Sequence, residues 1–243
     1  MHVLVVGGSG LVGTLSLPLL TSRHRVRVFD LHPPRAGVDV EYLQGDLRDL
    51  SAIEKAVRDV EAVVFMAMGP KNDVGLPTSV RAQFDVSVTG LHSVLRSAHR
   101  AGVRHAVYTS SMSVYRVKNQ LRNMVVPYPD ESVPPNANDP YGLSKRLGEE
   151  VCRAAVEEYG MSIVALRLCF PIPDEEWPPS PSRPRQAAIA TSGRDTARAI
   201  ASALDHQGHG FEAIAISGDA RERIVRLGKA RELLGWEPLD PTP

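Results

Sequence analysis

The fold is decided by the stretch Val3-Leu4-Val5-Val6-Gly7-Gly8-Ser9-Gly10-Leu11-Val12-Gly13. Its four consecutive apolar residues predict a strand that is covered on both faces, and the residues after the loop have the pattern of a helix. The glycines at positions 7, 10 and 13 suit a tight turn, a close approach of the backbone to a pyrophosphate, and close packing of the helix on the strand. The stretch therefore predicts a dinucleotide-binding strand–loop–helix unit.

Short apolar runs alternate with amphipathic stretches along the chain, which is typical of a parallel sheet wrapped by helices. The predicted strands are 2–6, 25–29, 40–43, 62–66, 106–109, 162–168 and 213–216, and the predicted helices are 11–22, 51–58, 80–101, 142–159, 196–204 and 229–234. We predict an α/β fold with a Rossmann-type doubly wound parallel sheet in residues 1–168. Residues 169–243, which begin with a proline-rich stretch, are expected to form a small C-terminal substrate lobe that is integrated with the sheet and not independent of it.

Composition limits the classes of partner. The 28 Lys and Arg residues balance the 28 Asp and Glu residues in this 243-residue chain, so net charge gives no reason to expect nucleic acid or an anionic membrane as a partner. No apolar run approaches the length of a membrane span, and the first apolar run leads straight into a glycine turn instead of a signal cleavage site. The two cysteines show neither metal-ligand spacing nor a disulfide framework. These features predict a cytoplasmic protein without a bound metal.

Two acidic residues follow predicted strands. Asp30 lies 23 residues after Gly7, where a carboxylate accepts hydrogen bonds from the adenosine ribose and repels a 2′-phosphate. This position favours NAD over NADP, although Arg35 is near enough to weaken the preference, and Asp30 could instead be a turn residue. Asp46 is placed to reach an adenine amine, or it could cap the helix that begins near Ser51.

A chemically capable group follows in the second half of the Rossmann region. Tyr141 and Lys145 lie one helical turn apart on one face. A free phenol, with a pKa near ~10, is a poor base at neutral pH. A cation one turn away favours the phenolate, so the pair could exchange a proton with a substrate hydroxyl or carbonyl. The segment Thr109-Ser110-Ser111 ends a strand, where α/β sheets present their ligands, and a serine hydroxyl there could hold the same substrate oxygen.

In this order, these motifs resemble the extended short-chain dehydrogenases/reductases of the NAD-dependent epimerase/dehydratase superfamily. The resemblance includes the segment from Ala106 to Tyr115 and the closing Ala230-Arg231-Glu232-Leu233-Leu234-Gly235-Trp236-Glu237-Pro238, and so covers nearly the whole chain. It implies an NAD-dependent enzyme that transfers hydride between nicotinamide and a small hydroxylated substrate. Relatives pack helices like 80–101 and 142–159 into a two-fold interface, which implies a homodimer.

The resemblance also implies roles for individual residues. Tyr141 would be the catalytic acid/base, Lys145 would hold the nicotinamide ribose, and Ser111 would orient the substrate oxygen, with Ser110 as the alternative. Met112 would adjoin the substrate. The residues implied to contact the cofactor are Gly7, Gly10, Leu11, Val12, Gly13, Asp30, Asp46, Leu47, Ala67, Met68, Tyr141 and Lys145.

Some positions depart from the family pattern, and they bear on the substrate. Ser87 stands where relatives usually have Asn, and the chain after the catalytic helix is short for a lobe that holds a sugar nucleotide. A short, proline-rich lobe resembles the uronate dehydrogenase branch and suggests a sugar or sugar acid, whose carboxylate Arg183 and Arg185 could bind. The alternatives are a nucleotide-sugar epimerase/dehydratase that returns its hydride, and a non-catalytic dinucleotide-binding regulator.

Overall fold

The computed structural model describes residues 1–35, 37–69, 76–115 and 130–243. Its strands are β1 His2–Val6, β2 Arg25–Asp30, β3 Glu41–Gln44, β4 Ala62–Phe65, β5 His105–Ser111, β6 Ser162–Leu168, β7 Pro171–Ile172, β8 Thr191–Ser192 and β9 Phe211–Ile216. Its α-helices are α1 Leu11–Arg23, α2 Leu50–Ala56, α3 Pro77–Phe84, α4 Leu91–Arg100, α5 Pro140–Tyr159, α6 Pro184–Ala187, α7 Gly193–Asp205 and α8 Gly228–Leu234. None of the helices in these ranges is long and apolar enough to cross a membrane.

Seven strands form one parallel sheet in the order β3-β2-β1-β4-β5-β6-β9, which confirms the predicted Rossmann-type architecture. The strand order reverses between β1 and β4, and ligands of such sheets bind at this switch point. Val6 pairs with both Phe29 and Phe65, so the loops after β1, β2 and β4 leave the sheet at the same edge. The last strand, β9, pairs with β6, so residues after 168 contribute to the same sheet.

The core lies on both faces of this sheet. Val3 and Val5 of β1 pack into one apolar cluster, while Leu4 and Val6 pack into the other. Because every residue of β1 is buried, the strand needs the unbroken apolar run that its sequence has.

One predicted helix is not continuous. The segment 80–101 consists of the end of α3, a π-helical stretch at Asp85–Gly90, and α4. The wider π-turn buries both Ser87 and Gly90. Such π-turns are rare and often occur at functional sites.

In the sequence, the apolar stripe of α5 consists of Leu143, Leu147, Val151, Ala154 and Ala155, and it predicts that Glu149 lies on the opposite, solvent-facing side. The structure confirms burial only for Ala155 of this stripe. Leu143, Leu147 and Val151 are only half-buried, whereas Glu149, expected on the solvent face, is buried. The reason is close packing of small residues on the sheet: a Cβ at Gly148 would lie 2.3 Å from the hydroxyl oxygen of Tyr108. The half-buried leucines and valine therefore form an apolar stripe along the outside of α5.

Candidate active site

The loop after β1 is shaped by two glycines that no other residue could replace. Gly7 has a φ of +84°, and a Cβ there would lie 2.4 Å from the backbone of Ala67. A Cβ at Gly13 would lie 2.1 Å from the carbonyl oxygen of Gly8. These contacts bring the loop, the start of α1 and the end of β4 together at the sheet edge, as the sequence predicts for Gly7 and Gly13.

Gly10 has a different reason to be glycine. Its φ is −76°, which any residue adopts, and the nearest atom to an added Cβ is 3.4 Å away, an ordinary contact. The fold itself therefore does not need glycine here. Gly10 lines the groove beside the N-terminus of α1, and no side chain caps that helix end. The open N–H groups and the missing side chain fit a pyrophosphate passing over the backbone.

A second part of the groove, about 320 Å³, lies next to Asp30 and Asp46, and Leu47 and Ala67 also line it. Asp30 accepts a hydrogen bond from the backbone N–H of Ser9 at 3.0 Å, which holds its carboxylate at the rim of the glycine loop. Asp46 is paired with Arg48, whose Nε lies 3.0 Å from both carboxylate oxygens, and this pairing lowers the pKa of Asp46. The alternative that Asp46 caps a helix is wrong, because Asp49 caps α2.

Tyr141, Lys145 and Ser111 meet at one end of the groove. Asp139 caps α5 by accepting from the N–H of Gly142 at 3.0 Å, and this start of the helix places Tyr141 in its first turn. The Lys145 ammonium donates to the carbonyl oxygen of Thr109 at 2.7 Å. The Ser111 hydroxyl accepts from the N–H of Ser113 at 3.1 Å, and it forms a side-chain hydrogen bond with Tyr141.

The environment of Tyr141 sets its proton affinity. Burial raises the pKa of the phenol, the hydrogen bond with Ser111 lowers it, and the negative charge of Asp139 raises it. The net effect is a raised pKa. The sequence predicts that Lys145 favours the phenolate, and this expectation is wrong for the structure, because burial is the main cause of the shift and raises the pKa of Tyr141.

Comparison with known proteins identifies the family. Residues 3–186 match the NAD dependent epimerase/dehydratase family. The chain belongs to this family. Its members' cofactor is NAD, and the glycine loop and acidic strand end described above form the matching groove.

Individual relatives show how far the likeness extends. The chain is 32% identical over 173 residues to an N-acetyl-α-D-glucosaminyl-diphospho-ditrans,octacis-undecaprenol 4-epimerase of Escherichia coli O157:H7, which covers 70% of this chain and 49% of that protein. It is 24% identical over 251 residues to an NAD-dependent glucose-6-phosphate dehydrogenase of Haloferax volcanii, covering 98% and 93%. The chain spans about half the length, or less, of the first curated relatives that it matches.

Solved structures share the fold. Uronate dehydrogenase from Agrobacterium tumefaciens superposes with a TM-score of 0.81 at 21% identity, over 99% of this chain and 85% of that one. At this identity the likeness concerns the fold alone.

The groove of this family member continues past Tyr141. A cavity of about 480 Å³ contains Leu11, Val12, Met68 and Tyr141 in its wall. A neighbouring cavity of about 180 Å³ shares Met68 and Tyr141 with it and adds Ser111, Met112 and Lys145. Apart from Gly13, which is buried against Gly8, the predicted cofactor residues and the predicted catalytic residues line one continuous groove.

Ser110 also lines the smaller cavity, but its hydroxyl hydrogen is used in a hydrogen bond away from Tyr141. Its hydroxyl donates to Glu149 at 2.7 Å, and Glu149 forms a buried ion pair with Arg167, with an Nη2-to-Oε2 distance of 2.7 Å. Arg167 also donates to the Tyr115 hydroxyl. Ser111, whose side chain contacts Tyr141, is the better placed of the two serines.

Arg183 and Arg185, the predicted carboxylate-binding residues, are both exposed, at and within the short helix α6. Neither is among the residues that line the cavities beside Tyr141. Their substrate role stays a prediction.

Phe170 and Gln83 are among the groove residues that sequence reasoning did not assign to the site. Phe170 is 45% exposed, has a φ of +39°, and lines the cavity that contains Lys145. Gln83 is buried on α3 and lines the cavity that contains Tyr141. The spacing of Gln83 and Ser87, one helical turn apart, is the signal that could have linked them, but it acquires meaning only when α3 is placed against α5.

Proposed function

We propose that this chain is an NAD-dependent oxidoreductase that acts on a secondary alcohol, or the corresponding carbonyl, of a small hydroxylated substrate. The observation that carries the proposal is that Tyr141 and Ser111 line one cavity, which is continuous with the groove beside the glycine loop. A proton-transfer group next to a dinucleotide groove is what alcohol oxidation requires.

The residues divide the work. Tyr141 takes the proton of the substrate hydroxyl in oxidation and returns it to the carbonyl oxygen in reduction. Ser111 accepts from the N–H of Ser113 and keeps its hydroxyl hydrogen, which it donates to the reacting oxygen or to the phenolate. Lys145, anchored on the carbonyl of Thr109, binds the nicotinamide ribose. Bound NAD supplies the two-electron acceptor.

The cofactor preference rests on Asp30. Its carboxylate stands at the end of β2 beside Ser9, where a 2′-phosphate would meet a like charge. Gly7, Gly10, Gly13, Leu11 and Val12 would hold the pyrophosphate region, and Asp46, Leu47, Ala67 and Met68 the adenosine region and inner wall. This arrangement supports NAD in preference to NADP.

A sugar or sugar acid is the first substrate class to test, since the curated relatives include enzymes of sugar metabolism. A nucleotide-sugar epimerase or dehydratase reaction is the second candidate, because the first of these relatives is a 4-epimerase.

We further propose a cytoplasmic homodimer. The half-buried stripe of Leu143, Leu147 and Val151 along α5 is an apolar surface that a second copy would cover. The two cysteines are both buried free thiols, which suits a reducing compartment. Sedimentation should give a dimer at micromolar concentration, and a monomer would refute the proposed assembly. Leu147→Glu places a charge in the apolar stripe and should convert the dimer to a monomer.

The activity is tested with purified protein, NAD or NADP, and a panel of free uronic acids, simple sugars, nucleotide sugars and secondary alcohols. NADH fluorescence detects net oxidation, and NMR detects altered sugars. NADH formation with NAD supports the proposal. A changed sugar without NADH would establish the epimerase or dehydratase reaction instead, and tight NAD binding without any conversion across the panel would count against both.

A further inference from the structure

Gln83 holds a fixed position in the cavity beside Tyr141. Its side chain is buried, and its backbone is pressed against the end of the loop after β4: a Cβ at Gly69 would lie 2.4 Å from the Cα of Gln83. Gln83 and Tyr141 line the same cavity of about 480 Å³. The backbone of Gln83 is therefore packed tightly against this loop.

The orientation of its amide follows from the hydrogen bonds around it. Nε2 donates to the hydroxyl of Ser87 at 2.7 Å and to that of Ser144 at 3.0 Å. Ser144 has one hydroxyl hydrogen, and it donates this to the carbonyl oxygen of Tyr141 at 2.8 Å. Ser144 can therefore only accept from Gln83, so the nitrogen and not the oxygen of the amide must face it.

This orientation leaves one polar atom of Gln83 for a ligand. Both N–H donors are used, and within the described ranges no hydrogen bond to Oε1 is formed. Most of the surrounding cavity wall is apolar, and its apolar residues include Met68, Val80, Pro140 and Pro171. An acceptor without a protein donor in a largely apolar wall favours a ligand that brings a donor, because a ligand without one leaves the acceptor desolvated and unpaired.

We propose that Gln83 is a specificity-determining residue whose Oε1 accepts a hydrogen bond from a second hydroxyl of the substrate, beside the hydroxyl that reacts at Tyr141. The substrate is accordingly a diol or polyol. A carboxylate or carbonyl group is disfavoured next to Gln83, because its oxygen and Oε1 are both hydrogen-bond acceptors. The inference rests on the proposed function in one respect, that Tyr141 marks the reacting hydroxyl.

The test measures binding and does not depend on turnover. The full-length protein saturated with NAD is titrated with trans-cyclohexane-1,2-diol and with cyclohexanol, and binding is followed by ligand-observed NMR. We expect the diol to bind about three- to tenfold more tightly, which is the ratio that one neutral hydrogen bond supplies. Gln83→Met should remove this preference while leaving the affinity for cyclohexanol nearly unchanged.

Controls separate selectivity from folding. Gln207→Met makes the same substitution at an exposed position and should keep the preference. Gln83→Leu repeats the test with a second apolar side chain, and NAD affinity and the thermal midpoint report whether each variant is folded. A purely structural glutamine would lower the affinity for both probes equally, and that outcome would overturn the proposal.

Absence of any diol preference in the natural protein, including failure of both probes to bind, would also overturn it. Failure of the proposed oxidoreductase activity would give a different result. No compound would then yield NADH, but the natural protein would still prefer the diol and Gln83→Met would still lose that preference.

Discussion

At the scale of single residues, glycines of the same loop have different reasons to be glycine. Gly13 is required by the backbone of Gly8, and Gly10 has room for a methyl group in the protein alone. Only a ligand that passes over Gly10 makes a side chain costly there. The two positions therefore separate folding from cofactor binding.

Gly10→Ala should leave the thermal midpoint close to that of the natural protein and weaken NAD binding about tenfold or more, because the added methyl group projects into the groove. Gly13→Ala should instead lower the thermal midpoint strongly, since its Cβ would overlap the carbonyl of Gly8. Calorimetric titration with NAD and thermal unfolding check both variants. Equal NAD affinity in Gly10→Ala and the natural protein would show that the cofactor does not cross this residue.

The pH dependence of activity should follow Tyr141. Burial raises the pKa of its phenol, so the base form needed for oxidation increases as pH rises, and reduction, which needs the acid form, is favoured at lower pH. Ser111→Ala removes the hydrogen bond that lowers this pKa and should move the alkaline rise of kcat/KM to higher pH. Profiles measured in both directions provide the check. An unmoved profile in Ser111→Ala would mean that another group titrates.

Sequence reasoning located the glycines, Asp30 and the Tyr141/Lys145 pair because each lies in a local pattern with a fixed spacing. It could not find Gln83, whose amide is oriented by Ser144, 61 residues away. It also placed Glu149 on the wrong face of its helix. Helical periodicity does not reveal that Arg167, on β6, forms a buried ion pair with this carboxylate.

At the scale of elements, the start of α5 determines where Tyr141 lies. Asp139 accepts from the N–H of Gly142 and precedes Pro140, which suits the first helical position. The predicted helix began at residue 142, two residues later, because the cap and the proline belong to the helix start without adding to its apolar pattern.

Asp139→Ala should lower the free energy of unfolding by about 1 kcal/mol, the usual cost of losing an N-cap. Asp139→Asn should keep most of that stability, because asparagine caps equally well, and should lower the pKa of Tyr141 by removing a nearby negative charge. Urea unfolding and the pH profile of activity measure the two effects. If both variants lost the same stability, capping would not be the role of this side chain.

The ion pair of Glu149 and Arg167 joins α5 to β6 in the interior, where both side chains are 1% exposed. Arg167→Met should destabilise the protein by about 3–5 kcal/mol, because it leaves a buried carboxylate without its partner. The double variant Glu149→Leu with Arg167→Met should lose less than the single one, since no uncompensated charge remains. Denaturant unfolding measures the free energy of unfolding of both variants. A double variant that is less stable than Arg167→Met would contradict this explanation.

At the scale of the whole molecule, the strand order brings distant segments to one sheet edge. The loops after β1, β2 and β4 line the proposed dinucleotide groove, and the end of β5 with the start of α5 carries the proposed catalytic residues. Alternating apolar runs and helices sufficed to predict this parallel sheet. The π-helical interruption at Asp85–Gly90 was not predicted, because sequence reasoning treated 80–101 as one continuous helix.

The most direct measurement is turnover by Tyr141→Phe compared with the natural protein, on whichever compound of the panel reacts with NAD. We predict a loss of at least about 10²-fold in kcat with NAD affinity nearly unchanged, because the ring stays and only the proton-transfer group is removed. Tyr159→Phe, on the same helix but at its far end, should retain full activity. A Tyr141→Phe protein that turns over at the natural rate would contradict the role of Tyr141 and the proposed function with it.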